Sequence, residues 1–86
     1  MVEAAPRAGG HVLLAAEADW RKEIIAIIDW RVAELERLGV ALRLNQFAEH
    51  SDVLSESPDF VVIATGGTPN LDWLPGAEHV TSAWDV

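Results

Sequence analysis

Residues 60–64 read FVVIA, an unbroken apolar and largely β-branched run that Thr65-Gly66-Gly67-Thr68-Pro69 closes at once. A strand with no polar side to offer water must be covered on both faces, which is the habit of parallel sheets layered between helices. Left at a sheet edge, the same run would present unpaired backbone and apolar side chains together. The 86 residues leave room for one domain. Folding a chain of this size buries only roughly 60–65% of its unfolded surface, so the core that covers FVVIA must be thin.

The strongest periodic signal lies upstream, over 19–38. Trp20, Ile24, Ile27, Ile28, Val32, Leu35 and Leu38 fall within an arc of roughly 120° on a helical wheel, and Arg21, Glu23, Arg31, Glu34 and Arg37 lie mostly outside it. Asp19 suits the N-cap, and Gly39 stands where a left-handed residue ends a helix. The pattern predicts one long amphipathic helix. Residues 1–16 form a strand end followed by a Pro- and Gly-punctuated loop, in which 11–16 are strand or irregular. Residues 40–44 (VALRL) read as a strand directly after the helix, 51–56 as a short helix capped by Ser51, and 65–86 as a loop tail. A helix alternating with buried strands predicts an α/β fold with a parallel sheet.

Charge and composition exclude several functions. Six Lys and Arg against fourteen Asp and Glu give a net charge of −8, which disfavours a nucleic-acid partner and an anionic membrane surface alike. No cysteine is present, so disulfides, thiolate metal sites, iron–sulfur ligation and cysteine nucleophiles are excluded within these residues. No apolar run approaches the length of a membrane span, and the N-terminus lacks the pattern of a signal peptide. The expected compartment is the cytoplasm. His11, His50 and His79 lack ligand spacing, the serines lack a nucleophile elbow, and Glu34 and Glu36 point different ways on their helix. No catalytic residue and no metal site are expected.

The glycine fingerprint of dinucleotide-binding sheets, G-x-G-x-x-G, is absent, as is the P-loop. Two short segments still point to a ligand. Glu3, at the end of a strand and ahead of Gly9-Gly10, is placed to accept hydrogen bonds from both hydroxyls of a ribose. Ala64-Thr65-Gly66, at the carboxyl end of FVVIA, leaves room for a cofactor at the sheet edge. Either could equally be an ordinary loop that binds nothing.

Taken in order, VEAAPRAGGH, LERLGVALRLN, PDFVVIATGGTP and LPGAEHVTSAWDV resemble the nucleotide-binding region of the large old-yellow-enzyme relatives. That family includes the trimethylamine and dimethylamine dehydrogenases, 2,4-dienoyl-CoA reductase and the N-methylproline demethylases. The resemblance covers essentially the whole chain. It implies part of an incomplete Rossmann-like domain of the glutathione-reductase type, running from the end of the second strand to the start of the second nucleotide domain. The first strand and its glycine loop are missing. The FMN barrel and the 4Fe–4S cluster of the family lie outside these residues.

By the same resemblance, Glu3 matches the acidic residue on the adenosine ribose. Arg7, Gly10 and His11 match the loop along the dinucleotide, although His11 stands where relatives often have Gln. Ala48 matches a position whose backbone touches adenine, across a one-residue gap. Ala64, Thr65 and Gly66 match the turn near the pyrophosphate. The implied cofactor is FAD, or its ADP moiety, in the complete domain and none in the isolated chain. The expected partners are the remainder of a parent oxidoreductase or a second copy; the alternative function is a self-associating interaction domain with no cofactor. In the order 3-2-1-4 the absent first strand would separate 60–64 from the second strand, so FVVIA should lack a neighbour.

Overall fold

The computed structural model describes residues 1–85. The described residues form three α-helices, α1 (His11–Ala15), α2 (Ile25–Arg37) and α3 (His50–Ser55), with a 3₁₀ turn at Asp19–Ile24 leading into α2 and another at Ala77–His79 after α3. The periodic segment is thus a helix in two parts. Its first six residues are wound more tightly, with Arg21 N–H donating to Ala18 O at 2.8 Å. The expected N-cap does not form: the Asp19 carboxylate pairs with Lys22 Nζ at 2.5 Å, and Ala18, at the cap, has no side-chain acceptor. Without a side-chain partner the first backbone N–H groups settle on nearer carbonyls, which favours the 3₁₀ winding.

The far end of α2 closes on a complete Schellman motif. Gly39, at φ 70°, donates to Glu36 O at 3.0 Å, and Val40 N–H reaches back to Leu35 O at 2.9 Å. That turn sends the chain back alongside its own beginning. Glu3 N–H donates to Arg43 O and Arg43 N–H to Met1 O, both at 2.9 Å, so Val2 and Arg43 form a parallel bridge. Beyond it the register is not kept: Asn45 N–H donates to Ala5 O at 3.1 Å and Gln46 N–H, rather than Asn45 N–H, to Glu3 O at 3.0 Å. The order is therefore an extended segment, a helical crossover and a second extended segment joined to the first by one parallel bridge.

Residues 40–44 and 60–64, expected as strands, form no ladder among the described residues beyond this one bridge. A ladder needs a neighbour on which to lay its backbone, and 60–64 is bridged to none among the described residues. Residues 11–16, open between strand and irregular in the sequence, instead begin with the single-turn α1. The third helix starts a residue earlier than expected and is capped from outside: Glu49 N–H donates to the Asp52 carboxylate at 2.8 Å, where Ser51 had been the expected cap.

The core sits where α1 and its preceding loop meet α2. Ala8, Ala16 and Ile28 are the buried apolar residues there. Gly9 makes the approach close, for a Cβ added to it would lie 3.2 Å from Ile28 Cγ1 and 2.9 Å from Leu13 Cγ. Beyond this cluster the chain is open. Its radius of gyration is 16.3 Å, against about 12 Å for a compact domain of this length. Its accessible surface is 7386 Å², about 2,400 Å² more than a compact monomer of this mass exposes.

Candidate functional site

The parallel pairing of the N-terminus with 41–46 forms one wall of a cleft of about 830 Å³. Met1, Val2 and Glu3 line that wall, α3 lines a second, and 60–65 line the third. Four of the residues singled out in the sequence converge here: Glu3, Ala48, Ala64 and Thr65. They come from three segments that are distant in the chain and meet only because α2 carries the backbone back to its start.

Glu3 is half-buried, and its Oε1 accepts the Ala5 N–H at 2.9 Å, which holds the carboxylate at the strand end. An ionised carboxylate has about four acceptor positions, so this bond leaves capacity for a diol. The cleft is otherwise tied together by Arg43 and Glu56, whose Nη1 and Oε1 lie 2.6 Å apart. Hydrogen bonding to the Arg43 guanidinium, with its charge behind it, holds the Glu56 carboxyl below its ordinary value. The same contact raises Arg43. This pair joins the end of α3 to the paired segment and so sets the width between two walls.

The remaining sequence candidates lie elsewhere. Arg7 faces the opposite side, where Nη2 pairs with Asp29 Oδ1 at 2.6 Å over a shallow hollow of about 290 Å³. Gly10 and His11 open α1, and the His11 ring lies against Trp84 with centroids 3.9 Å apart and planes inclined by 49°. Gly66 borders that pair, since a Cβ placed on it would come within 4.0 Å of His11 Cε1. The eight candidates thus fall into a cleft group, a His11–Trp84 group and an isolated Arg7. The Arg43–Glu56 pair and the Trp84 contact were missed in the sequence. Thirteen residues separate Arg43 from Glu56, a spacing with no helical or strand meaning, and Trp84 lies in a tail with no periodicity.

The arrangement offers a hydrogen-bonding carboxylate at the mouth of an apolar cleft and a small-residue turn beside it. Among the described residues no group of three or more potential metal ligands is present. Among the same residues no helix is long and apolar enough to cross a membrane.

Comparison with known proteins gives the cleft a context. No family model matches the chain. No solved structure matches it either. Named relatives do, and they are oxidoreductases. The chain is 58% identical over 86 residues to the multifunctional alkene reductase/demethylase OYE of Caballeronia cordobensis, covering all of this chain and 13% of that enzyme. It is 49% identical over 85 residues to a probable N-methylproline demethylase of Rhizobium meliloti, covering 98% of this chain and 12% of the enzyme. An N,N-dimethylglycine/sarcosine dehydrogenase of Chromohalobacter salexigens is 40% identical over 94 aligned residues, with 14% of it covered. The chain is therefore similar, from end to end, to one segment of the flavin-dependent oxidoreductases that include the N-methylproline demethylases and old-yellow-enzyme reductases. It spans about an eighth of the length of these relatives.

Proposed function

We propose that the chain supplies part of the dinucleotide-binding domain of such an oxidoreductase and carries no catalytic residue of its own. The observation that supports this reading best is the parallel pairing of residues 1–5 with 41–46, which sets Glu3 beside Ala48, Ala64 and Thr65 around a single cleft. Parallel neighbours joined through a helix are the building unit of doubly wound nucleotide-binding sheets, and such sheets take their ligands at the carboxyl ends of the strands. Glu3 directly follows Val2, the residue of the bridge, and Thr65 directly follows 60–64.

The residues present fit the adenosine end of a dinucleotide. Glu3 would accept the ribose hydroxyls, Ala48 would leave the backbone open to adenine, and the 64–66 turn would run along the pyrophosphate. When bound, a flavin or nicotinamide dinucleotide supplies the hydride and electron chemistry. Glu3 orients the ribose through a charge-assisted pair of hydrogen bonds, and the apolar walls of the cleft exclude water from the adenine. The pyrophosphate end is under-supplied, since the sequence has no glycine fingerprint to cradle it. The parent enzyme would complete that end, and the FMN and iron–sulfur centres expected of the family would also lie outside these residues. A cytoplasmic location accords with this reading.

Titration with ADP, FAD and NADH, read by thermal shift and flavin fluorescence, tests it. Where the resemblance implies no cofactor in the isolated chain, the cleft formed around Glu3 leads this reading to predict saturable ADP binding that Glu3→Ala weakens roughly ten- to a hundredfold, the loss of one charged hydrogen-bonding site. Absence of binding at millimolar ADP, or identical affinity in Glu3→Ala, contradicts it. Absence of binding would instead favour the interaction-domain reading, which the exposed run at 60–63 motivates.

A further inference from the structure

Ala64, Thr65 and Gly66 form one turn, but they meet different neighbours. Ala64 and Thr65 line the cleft, whereas Gly66 lies against His11: a Cβ placed on Gly66 would stand 4.0 Å from His11 Cε1, an ordinary contact distance. The same imidazole lies against the Trp84 indole, with ring centroids 3.9 Å apart and planes inclined by 49°. We propose that His11, held by Trp84, is a positioning residue for this turn: it fixes Gly66 and, through it, the two residues that face a bound nucleotide. The proposal rests on the nucleotide reading of the cleft and adds to it a contact that lies outside the cleft.

Each member of the contact sits on a locally fixed piece of chain. His11 opens α1, where Val12 N–H donates to Gly9 O and Leu13 N–H to Gly10 O, both at 3.1 Å. Leu13 Cγ comes within 2.9 Å of the Cβ position that Gly9 leaves empty, and Ile28 Cγ1 within 3.2 Å, so the base of α1 is packed onto α2. Trp84 stands on a turn of its own, in which its N–H donates to Ser82 Oγ at 3.1 Å and Asp85 N–H to Ser82 O at 2.9 Å. Gly66 is the adaptable member. Its φ of 68° lies in the left-handed region, and glycine has more backbone settings open to it than any other residue. A turn that pivots on Gly66 therefore takes its direction from what Gly66 rests on. A tilted ring pair favours the closed arrangement by about two- to twelvefold beyond area burial alone. That factor bounds what the loss of the pair should cost a ligand that needs the turn in place.

Amide-resolved NMR of the native chain and of His11→Ala, His11→Phe and Trp84→Ala, each free and titrated with ADP, tests the assignment. In the free chain, His11→Ala should move the Gly66 and Thr65 amides, and Trp84→Ala should abolish the ring-current shift of the His11 Hε1 proton. With ADP, His11→Ala and Trp84→Ala should each weaken binding about three- to tenfold, while His11→Phe, which keeps a ring between Trp84 and Gly66, should stay within about twofold of native. Gly66 and Thr65 amides unmoved by His11→Ala, or an unchanged ADP affinity, would overturn the proposal. A His11→Phe chain as weak as His11→Ala would overturn it too, because packing of a ring would then not be what directs the turn. A native chain that binds no ADP at millimolar concentration would remove the nucleotide reading and the positioning role with it. The free-state amide shifts tell that result apart from failure of the contact itself.

Discussion

Ile27 and Ile28 are adjacent on α2, and the helical wheel puts both on the apolar arc. The structure separates them, leaving Ile28 9% exposed and Ile27 49%. Replacing either with alanine removes the same three carbons and gains the same few tenths of a kcal/mol in helix propensity. Only the packing differs. Ile28 Cγ1 lies 3.2 Å from the Cβ position that Gly9 leaves empty, so its truncation opens a gap between α2 and the 8–10 loop. Truncation of a buried Ile costs about 2–5 kcal/mol. In a core with so few buried members the neighbours can collapse inward, which puts Ile28→Ala near the lower end, about 2 kcal/mol. Ile27 has already left half its surface in water, and the propensity gain offsets part of the remainder, leaving a loss under about 0.5 kcal/mol. Urea unfolding followed by far-UV circular dichroism reads the difference. With an m-value of about 1 kcal/mol/M, Ile28→Ala should lower the midpoint by about 2 M and Ile27→Ala by less than about 0.5 M. Equal shifts would refute the placement of the core.

Two more outcomes follow from the same contacts. Gly9 sits at φ 137°, and an alanine Cβ there would stand 2.9 Å from Leu13 Cγ and Cδ2; Gly9→Ala should therefore cost about 1–3 kcal/mol in urea unfolding, and an unchanged midpoint would show that α1 does not pack as described. Arg43 holds the Glu56 carboxyl below the ordinary 4.5, so the pair's contribution to stability is present above that value and lost as pH falls through the lowered one. In a carbon-detected NMR titration Arg43→Ala should return Glu56 to its ordinary range, and an unmoved Glu56 would remove the pair from the account.

What the sequence disclosed was set by how local the governing physics is. The end of α2 was legible at Gly39, because the Schellman turn depends on one left-handed residue and on bonds that span five positions. The start was not. Asp19 has the right chemistry for a cap, yet Lys22 three residues on takes its carboxylate, and the two functions compete for the same oxygens. Composition made 60–64 an expected strand, but pairing is a property of two segments, and among the described residues no second one is bridged to it. The wheel over 19–38 likewise identified an apolar arc without showing how much of it would be covered: Trp20 and Leu38 lie on the arc and are exposed.

In the candidate site, Glu3 and the 64–65 turn were legible because a strand-end carboxylate and a small-residue turn have recognisable local forms. Their meeting in one cleft depends on the parallel bridge between Val2 and Arg43, which no short-range pattern encodes. Arg7 illustrates the converse. The resemblance sets it on the loop along the dinucleotide, but Asp29 on α2 holds the guanidinium over a different hollow.

The most direct test of the central claim is an amide-resolved NMR titration of the chain with ADP. The account predicts saturable shifts concentrated at Glu3, Ala48, Ala64 and Thr65, with Arg7 and Asp29 unmoved, and their disappearance in Glu3→Ala. Shifts absent at millimolar ADP, or centred on the Arg7 side, would contradict the assignment of the cleft as the adenosine site.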